Sequence, residues 1–293
     1  MSKISRRGLR TTAAAVAAGA AVIAGGALAA TAQAATLSPA AGAQAAAPSL
    51  SIRVPLTPMP QGTVTLGRDH FGTVDAAISA FGLAPGSAHA VDLVNRSGRV
   101  ITSFGTLTAN TVGQAHGTLD SRLGYASYSR DWGSARVVVL NGTAGDRVSK
   151  EPIAQTQYVA GAHTYRLTPV EVSQSGQNFG TPQGQATISY NPVAQTISVT
   201  VNASGLTPGA HAAHIHMGSC QSQGPVQYML MDFTANAHGQ IVHETRTVTN
   251  VTTPPPATGY YLNLHQGTSN NILDSAGNPT INFRPLLCGN IVP

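Results

Sequence analysis

Of 293 residues only 9% are charged, and the formal net charge of +5 includes Lys3, Arg6, Arg7 and Arg10 near the N-terminus. Beyond them the chain is near +1, which leaves no basic surface of the kind that binds nucleic acid. The length suits two domains of ordinary size, and no stretch beyond the first thirty-odd residues is long and apolar enough to span a membrane.

In chain order, Ser5-Arg6-Arg7-Gly8-Leu9-Arg10 precedes an Ala/Val/Gly-rich run that ends in Ala32-Gln33-Ala34. Paired arginines, a mildly apolar run and a small-x-small site make residues 1–34 a twin-arginine export signal. Residues 35–48 are rich in Ala, Pro and Gly with almost no large side chains, so they read as a disordered tether. The remainder falls into two units, 49–170 and 185–293, separated by a polar Gly/Gln/Ser-rich linker at 171–184.

Laying the two units over each other reveals an internal repeat. Thr63-Val-Thr-Leu66 leads to Gly82-Leu-Ala-Pro-Gly86 as Ala186-Thr-Ile-Ser189 leads to Gly205-Leu-Thr-Pro-Gly209. Thr108-Ala109-Asn110-x-x-Gly113-Gln114 then matches Thr234-Ala235-Asn236-x-x-Gly239-Gln240, and Leu140-Asn141-Gly142 lies over His265-Gln266-Gly267. Within each unit, segments such as Thr73–Ser79, Thr196–Asn202 and Gln240–Val248 alternate with period two between turn signals. No helical periodicity follows the signal, so the expected fold is all-β: two Greek-key antiparallel sandwiches or flattened barrels.

The residues that carry chemistry lie in the second unit. His211-Ala-Ala-His214-Ile-His216 follows the Gly205–Gly209 turn where a strand should start, and residues two apart in a strand share a face, so His214 and His216 project together. His265 lies in a second apolar strand, Tyr260–His265, that sheet pairing can bring alongside. A single histidine in an apolar strand is best explained by bonding to backbone, which is the reading for His211. His-x-His with a distant third imidazole instead fits a metal site of three nitrogens with an open position, and imidazole suits copper and zinc. The only cysteines, Cys220 and Cys288, are expected to form one disulfide in an exported chain.

The run Gly205–His216 resembles the segment of copper/zinc superoxide dismutases that ends in their first two copper histidines. Leu264-His265 resembles the strand with a further copper ligand, and Arg284-Pro-Leu-Leu-Cys288-Gly-Asn-Ile291 resembles the closing motif. The resemblance implies a copper ion held by His214, His216 and His265, a disulfide between Cys220 and Cys288, and Arg284 as an anion-guiding catalytic residue with superoxide as substrate. It also has gaps. Gly224-Pro225 is followed by Val226 where the family has the histidine that bridges copper and zinc, no histidine follows before Asp232, and Asp232 alone cannot hold zinc tightly. Zinc is therefore not expected. Without the bridging histidine, proton delivery should slow and three-coordinate Cu(I) should be favoured, which suits copper storage or buffering with little turnover.

Ala213-His-Ile-His-Met-Gly218, with Gly224-Pro-Val226 and Tyr261-Leu-Asn-Leu-His265, is also similar to the CHRD domain of exported proteins. That likeness implies a non-catalytic binding module. In the first unit Asp92, Val94 and Leu140 stand where the second has His214, His216 and His265, so it should hold no metal and serve instead as a built-in dimer mate.

Overall fold

A computed structural model describes residues 49–68, 71–124, 135–142, 151–159, 163–170, 172–256 and 258–292. The readings of 1–34 as signal and 35–48 as tether lie outside these residues. Twenty strands follow one another: β1 (Leu50–Pro58), β2 (Gln61–Arg68), β3 (Thr73–Phe81), β4 (Ala88–Val94), β5 (Val100–Thr108), β6 (Gln114–Gly124), β7 (Arg136–Leu140), β8 (Pro152–Gln155), β9 (Thr164–Pro169) and β10 (Val172–Gln174). Then come β11 (Gln177–Gly180), β12 (Gln183–Asn191), β13 (Thr196–Ser204), β14 (Gly209–His211), β15 (Ala213–Ser219), β16 (Ser222–Met229), β17 (Phe233–Ala235), β18 (Ile241–Val248), β19 (Tyr260–His265) and β20 (Pro285–Ile291). Among the described residues the one helical element is a 3-10 turn at Ile281–Phe283, so the protein is all-β.

The alternating sequence explains the strands. In β13, Ile197, Val199 and Val201 are buried, while Ser198 and Thr200 bond outward to the hydroxyls of Thr247 (3.0 Å) and Thr245 (2.8 Å) on β18. The repeated motifs are turns that lock together. Leu83 N–H donates to Gly113 O and Leu206 N–H to Gly239 O, both at 3.1 Å, and Oδ1 of Asn110 and of Asn236 each accept two backbone N–H groups of their own turn. The leucine of each Gly-Leu-x-Pro-Gly block is fully buried by that clasp.

Sixteen of the described strands form two eight-stranded sheets, ordered β5-β4-β7-β8-β9-β2-β3-β6 and β16-β15-β19-β20-β1-β12-β13-β18, and β10-β11 and β14-β17 are two-stranded pairs. Read edge to edge, the two layouts correspond place by place, with one difference in connection. In the first sheet β9 follows β8 in the chain and sits beside it. In the second, the place beside β20 is filled by β1, the first described strand. It pairs with β12 from Leu50↔Tyr190 to Leu56↔Gly184 and with β20 at Thr57↔Cys288 and Pro58↔Leu287. Ile52, Val54 and Leu56 enter the core of the second sheet. Leu50–Pro58, read from sequence as the start of the first unit, pair within the second sheet, and without them β12 and β20 would each face an open edge. Within Val172–Gly180, β10 and β11 make a hairpin whose turn residues Ser175 and Gly176 have φ of 51° and 80°, as a type I′ turn needs.

The two halves touch through specific groups. Buried Gln223, on edge strand β16, donates through its backbone to Val112 O (3.0 Å) and through Nε2 to Leu83 O (2.8 Å). Gly113 (φ 71°) lets it in, because a Cβ there would meet Gln223 Nε2 at 2.0 Å. Met59 and Phe81 pack on Tyr261 and the Cys220–Cys288 disulfide, whose Cα atoms are 5.8 Å apart. With its ends 68 residues apart in sequence, that crosslink should stabilise the fold by about 4 kcal/mol in the chain-entropy model. Urea melts with and without reductant should show that difference as a lowered midpoint; equal midpoints would refute it.

Candidate metal centre

β15 alternates across its sheet: Ala213 and Ile215 enter the core, and His214 and His216 take the opposite face. β19 runs antiparallel beside it with His214↔Asn263 and His216↔Tyr261, so Tyr261, Asn263 and His265 share that face, which the first half of the chain covers in part. The structure thereby brings His214, His216 and His265 together with ligand-capable atoms all within 4.8 Å of one another. All three are buried, and they are the one such cluster among the described residues.

Each ring is held from behind. His216 Nδ1–H donates to Gly224 O (3.0 Å) and His265 Nδ1–H to Phe283 O (2.5 Å), which leaves both Nε2 lone pairs free. Nδ1 of His214 lies 3.1 Å from Nε2 of His265. Two nitrogens bound to one ion at ~2.0–2.1 Å stand roughly 2.9–3.5 Å apart for ordinary bond angles, so this spacing fits a shared metal. Nε2 of His216, its remaining ring nitrogen, is buried with no protein hydrogen-bond partner, a cost that a bound cation would relieve. His211 is the structural residue expected of it: its ring nitrogens face His265 O (2.9 Å) and Thr207 O (2.8 Å), which ties the third imidazole's backbone to the preceding turn.

Burial sets the electrostatics. It lowers the pKa of His216 to about 4 against the opposing pull of the Gly224 carbonyl. Burial, helped by neighbouring His216 and opposed by the Asp232 carboxylate, brings His214 to about 4 as well. His265 is driven well below the ordinary range by burial and by the other two rings. All three are neutral at pH 7, the form that binds metal. Aromatic rings fix the remaining sides: Tyr261 stacks on His216 at 4.9 Å, and Phe283 lies 4.6 Å from His265.

Arg284 makes none of its hydrogen bonds to these imidazoles. Phe283 faces His265, and the next residue along turns the other way. The Arg284 guanidinium donates to Gln266 Oε1 (2.8 and 3.1 Å) and Met59 O (3.4 Å) in a separate cavity lined also by Glu151 and Ile153. Its field is felt by His89 of the first half rather than by the triad. The opening that reaches His216, about 380 Å³, is lined by Pro85, Val112, Val226, Pro279 and Phe283 and by no cationic side chain. Asp232, the one carboxylate left for zinc, accepts from Ser269 N–H (3.1 Å) and Ser269 Oγ–H. At the corresponding place in the first half, Asp92 and Val94 are buried without a metal-ligating cluster among the described residues.

Sequence reasoning missed three supports. Tyr261 was readable, since it shares strand parity with His265. His89, fully buried, donates through Nδ1 to Leu140 O (2.9 Å) as His211 does to His265 O, and the repeat register with a one-residue gap would have paired them. The Gly224 and Phe283 carbonyls left no side-chain signal.

A family model for the CHRD domain matches residues 164–271. No curated protein matches the chain. Among solved structures, a Cu/Zn superoxide dismutase from Brucella abortus is similar, at 21% identity over 40% of this chain and 90% of that one, with a TM-score of 0.29.

Proposed function

We propose that this is an exported copper-binding protein whose C-terminal half holds one copper ion through His214, His216 and His265, and that it keeps the ion rather than turning over superoxide rapidly. The observation that carries this reading is three buried, neutral imidazoles whose ligand-capable atoms lie within 4.8 Å of one another, His216 among them with an orphaned Nε2. Copper(II) binds a nitrogen site more tightly than any other divalent first-row ion, and a separate zinc site is not expected, because Val226 and the engaged Asp232 leave it without ligands. Bound copper supplies one-electron redox chemistry. The protein's own part is to fix the rings through Gly224 O, Phe283 O and His211, to keep them neutral, and to shield them with apolar side chains. An enzyme for a small anion would place a cation at the mouth; Arg284 faces another cavity, so little electrostatic steering of superoxide is expected.

The paired arginines support export by the twin-arginine route, and the Gln223, Leu83 and Val112 contacts support the first half as a fixed mate that roofs the site. The CHRD match favours a second reading, a non-catalytic exported binding module. Metal analysis of protein matured in copper-supplemented medium, with a superoxide-consumption assay on the same sample, separates them. We expect stoichiometric copper and weak dismutation; rapid dismutation would restore the enzyme, and absence of copper would leave the module. His216→Ala should lose copper retention, and unchanged copper content in that variant would refute the ligand set.

A further inference from the structure

Met59 is buried, whereas Met217, Met229 and Met231 are exposed at 43%, 69% and 76%, all near the edge of the sheet that bears the triad. The register gives two of them a specific place. Met229 is the direct cross-strand partner of His214, and directly opposed residues of an antiparallel pair put their side chains on the same face at Cβ separations of ~4.5–5.5 Å. β16 is the edge strand, so Met229 stands between solvent and the buried His214 ring. Leu230, just past the end of β16, is in the core, and Met231 beside it is exposed.

A thioether is a poor surface group, since exposing it forgoes burial, and it is a soft ligand that selects Cu(I) over hard cations. The Asp232 carboxylate, next in the chain to Met231, is close enough to His214 to act on it electrostatically. The Arg246 guanidinium that donates to Asp232 O (2.7 and 2.9 Å) is neutralised by its ion pair with Glu244. We propose that Met229 and Met231 form a landing site for Cu(I), from which His214 draws the ion into the buried imidazole set. The hand-off exchanges copper–sulfur for copper–nitrogen bonds with the ion Cu(I) throughout, so no oxidant or reductant is consumed. It rests on the reading of the triad as a copper site and adds its route of loading.

The test uses the full chain, free of metal and under anaerobic conditions, with Cu(I) offered from a chromophoric chelator. Uptake is followed by the chelator's absorbance, and the methionine ε-methyl groups by carbon-13 NMR, with buried Met59 as internal reference. The Met229→Leu/Met231→Leu variant keeps size and apolarity at exposed positions and should fold unchanged. We expect the Met229 and Met231 methyl signals to shift at low copper, and uptake in the variant to slow roughly tenfold or more, as losses around a metal's ligands commonly do, with the same final copper content. Full copper content reached at the same rate in both chains, with silent methyl signals, overturns the landing site and leaves the triad standing. Absence of chelator-resistant copper in both chains overturns the triad and the hand-off with it.

Discussion

A chain beginning at Gln61 should fail to close its C-terminal sandwich. β1 contributes Ile52, Val54 and Leu56 to that core, and burying three such side chains is worth roughly 5–9 kcal/mol, comparable to the whole stability of an ordinary domain at about 5–15 kcal/mol. The deletion also strips the ladder from β12 and from the end of β20, exposing two adjacent edges that invite aggregation. We expect near-UV circular dichroism of the second half to collapse, and a synthetic Leu50–Pro58 peptide to restore it, while a chain beginning at Ser49 melts like the full protein. A Gln61 chain with an unaltered urea midpoint would show that β1 is dispensable. For the same reason a fragment of residues 185–293 cannot report on whether the second half needs the first, unless β1 is supplied with it.

The metal-free protein should be strongly destabilised by acid between pH 6.5 and about 4. His89, His214 and His216 are each held near a pKa of about 4 in the fold, chiefly by burial, against 6.5 in the unfolded chain. Above pH 6.5 both states are neutral there and full stability is present. As pH falls below 6.5 the unfolded chain takes up protons that the folded one refuses, so stability drops until about pH 4 and then levels off as far as these groups are concerned. Each contributes about 3 kcal/mol over that window, so together roughly 10 kcal/mol, enough to unfold most domains. Urea titrations at stepped pH would test this; a midpoint that stays flat from pH 7 to 4.5 would mean that the rings are solvated. Replacing His89 by Gln should remove one share of the slope while leaving the triad's share.

The local features were legible because they are local. Period-two alternation announced β13 and β18, and strand parity put His214 and His216 on one face. The turn motifs with Asn110 and Asn236 were visible as repeats because the same hydrogen bonds must be made in both halves. What stayed hidden depends on pairing across long distances. Nothing in Leu50–Pro58 says that its neighbours are β12 and β20 rather than β2, since alternation specifies a face and not a partner. Arg284 illustrates the same limit within one residue: whether a side chain beside a half-cystine meets the imidazoles or the cavity behind them turns on where β20 starts and on Phe283 taking the inner position. The Val172–Gly180 hairpin was hidden by a composition that suits both linkers and tight turns.

The shared layout of the two sheets gives β1 a topological meaning. Since β20 and β1 hold the places that the consecutive strands β8 and β9 hold in the other sheet, moving Leu50–Pro58 to follow Val292 would leave every hydrogen-bonded neighbour where it is. Traced this way, the strands of the two sheets follow a closed course, opened inside the half that carries the histidines. The first and last described strands, β1 and β20, are therefore clasped side by side, and the imidazole-bearing half becomes whole only once those two have met.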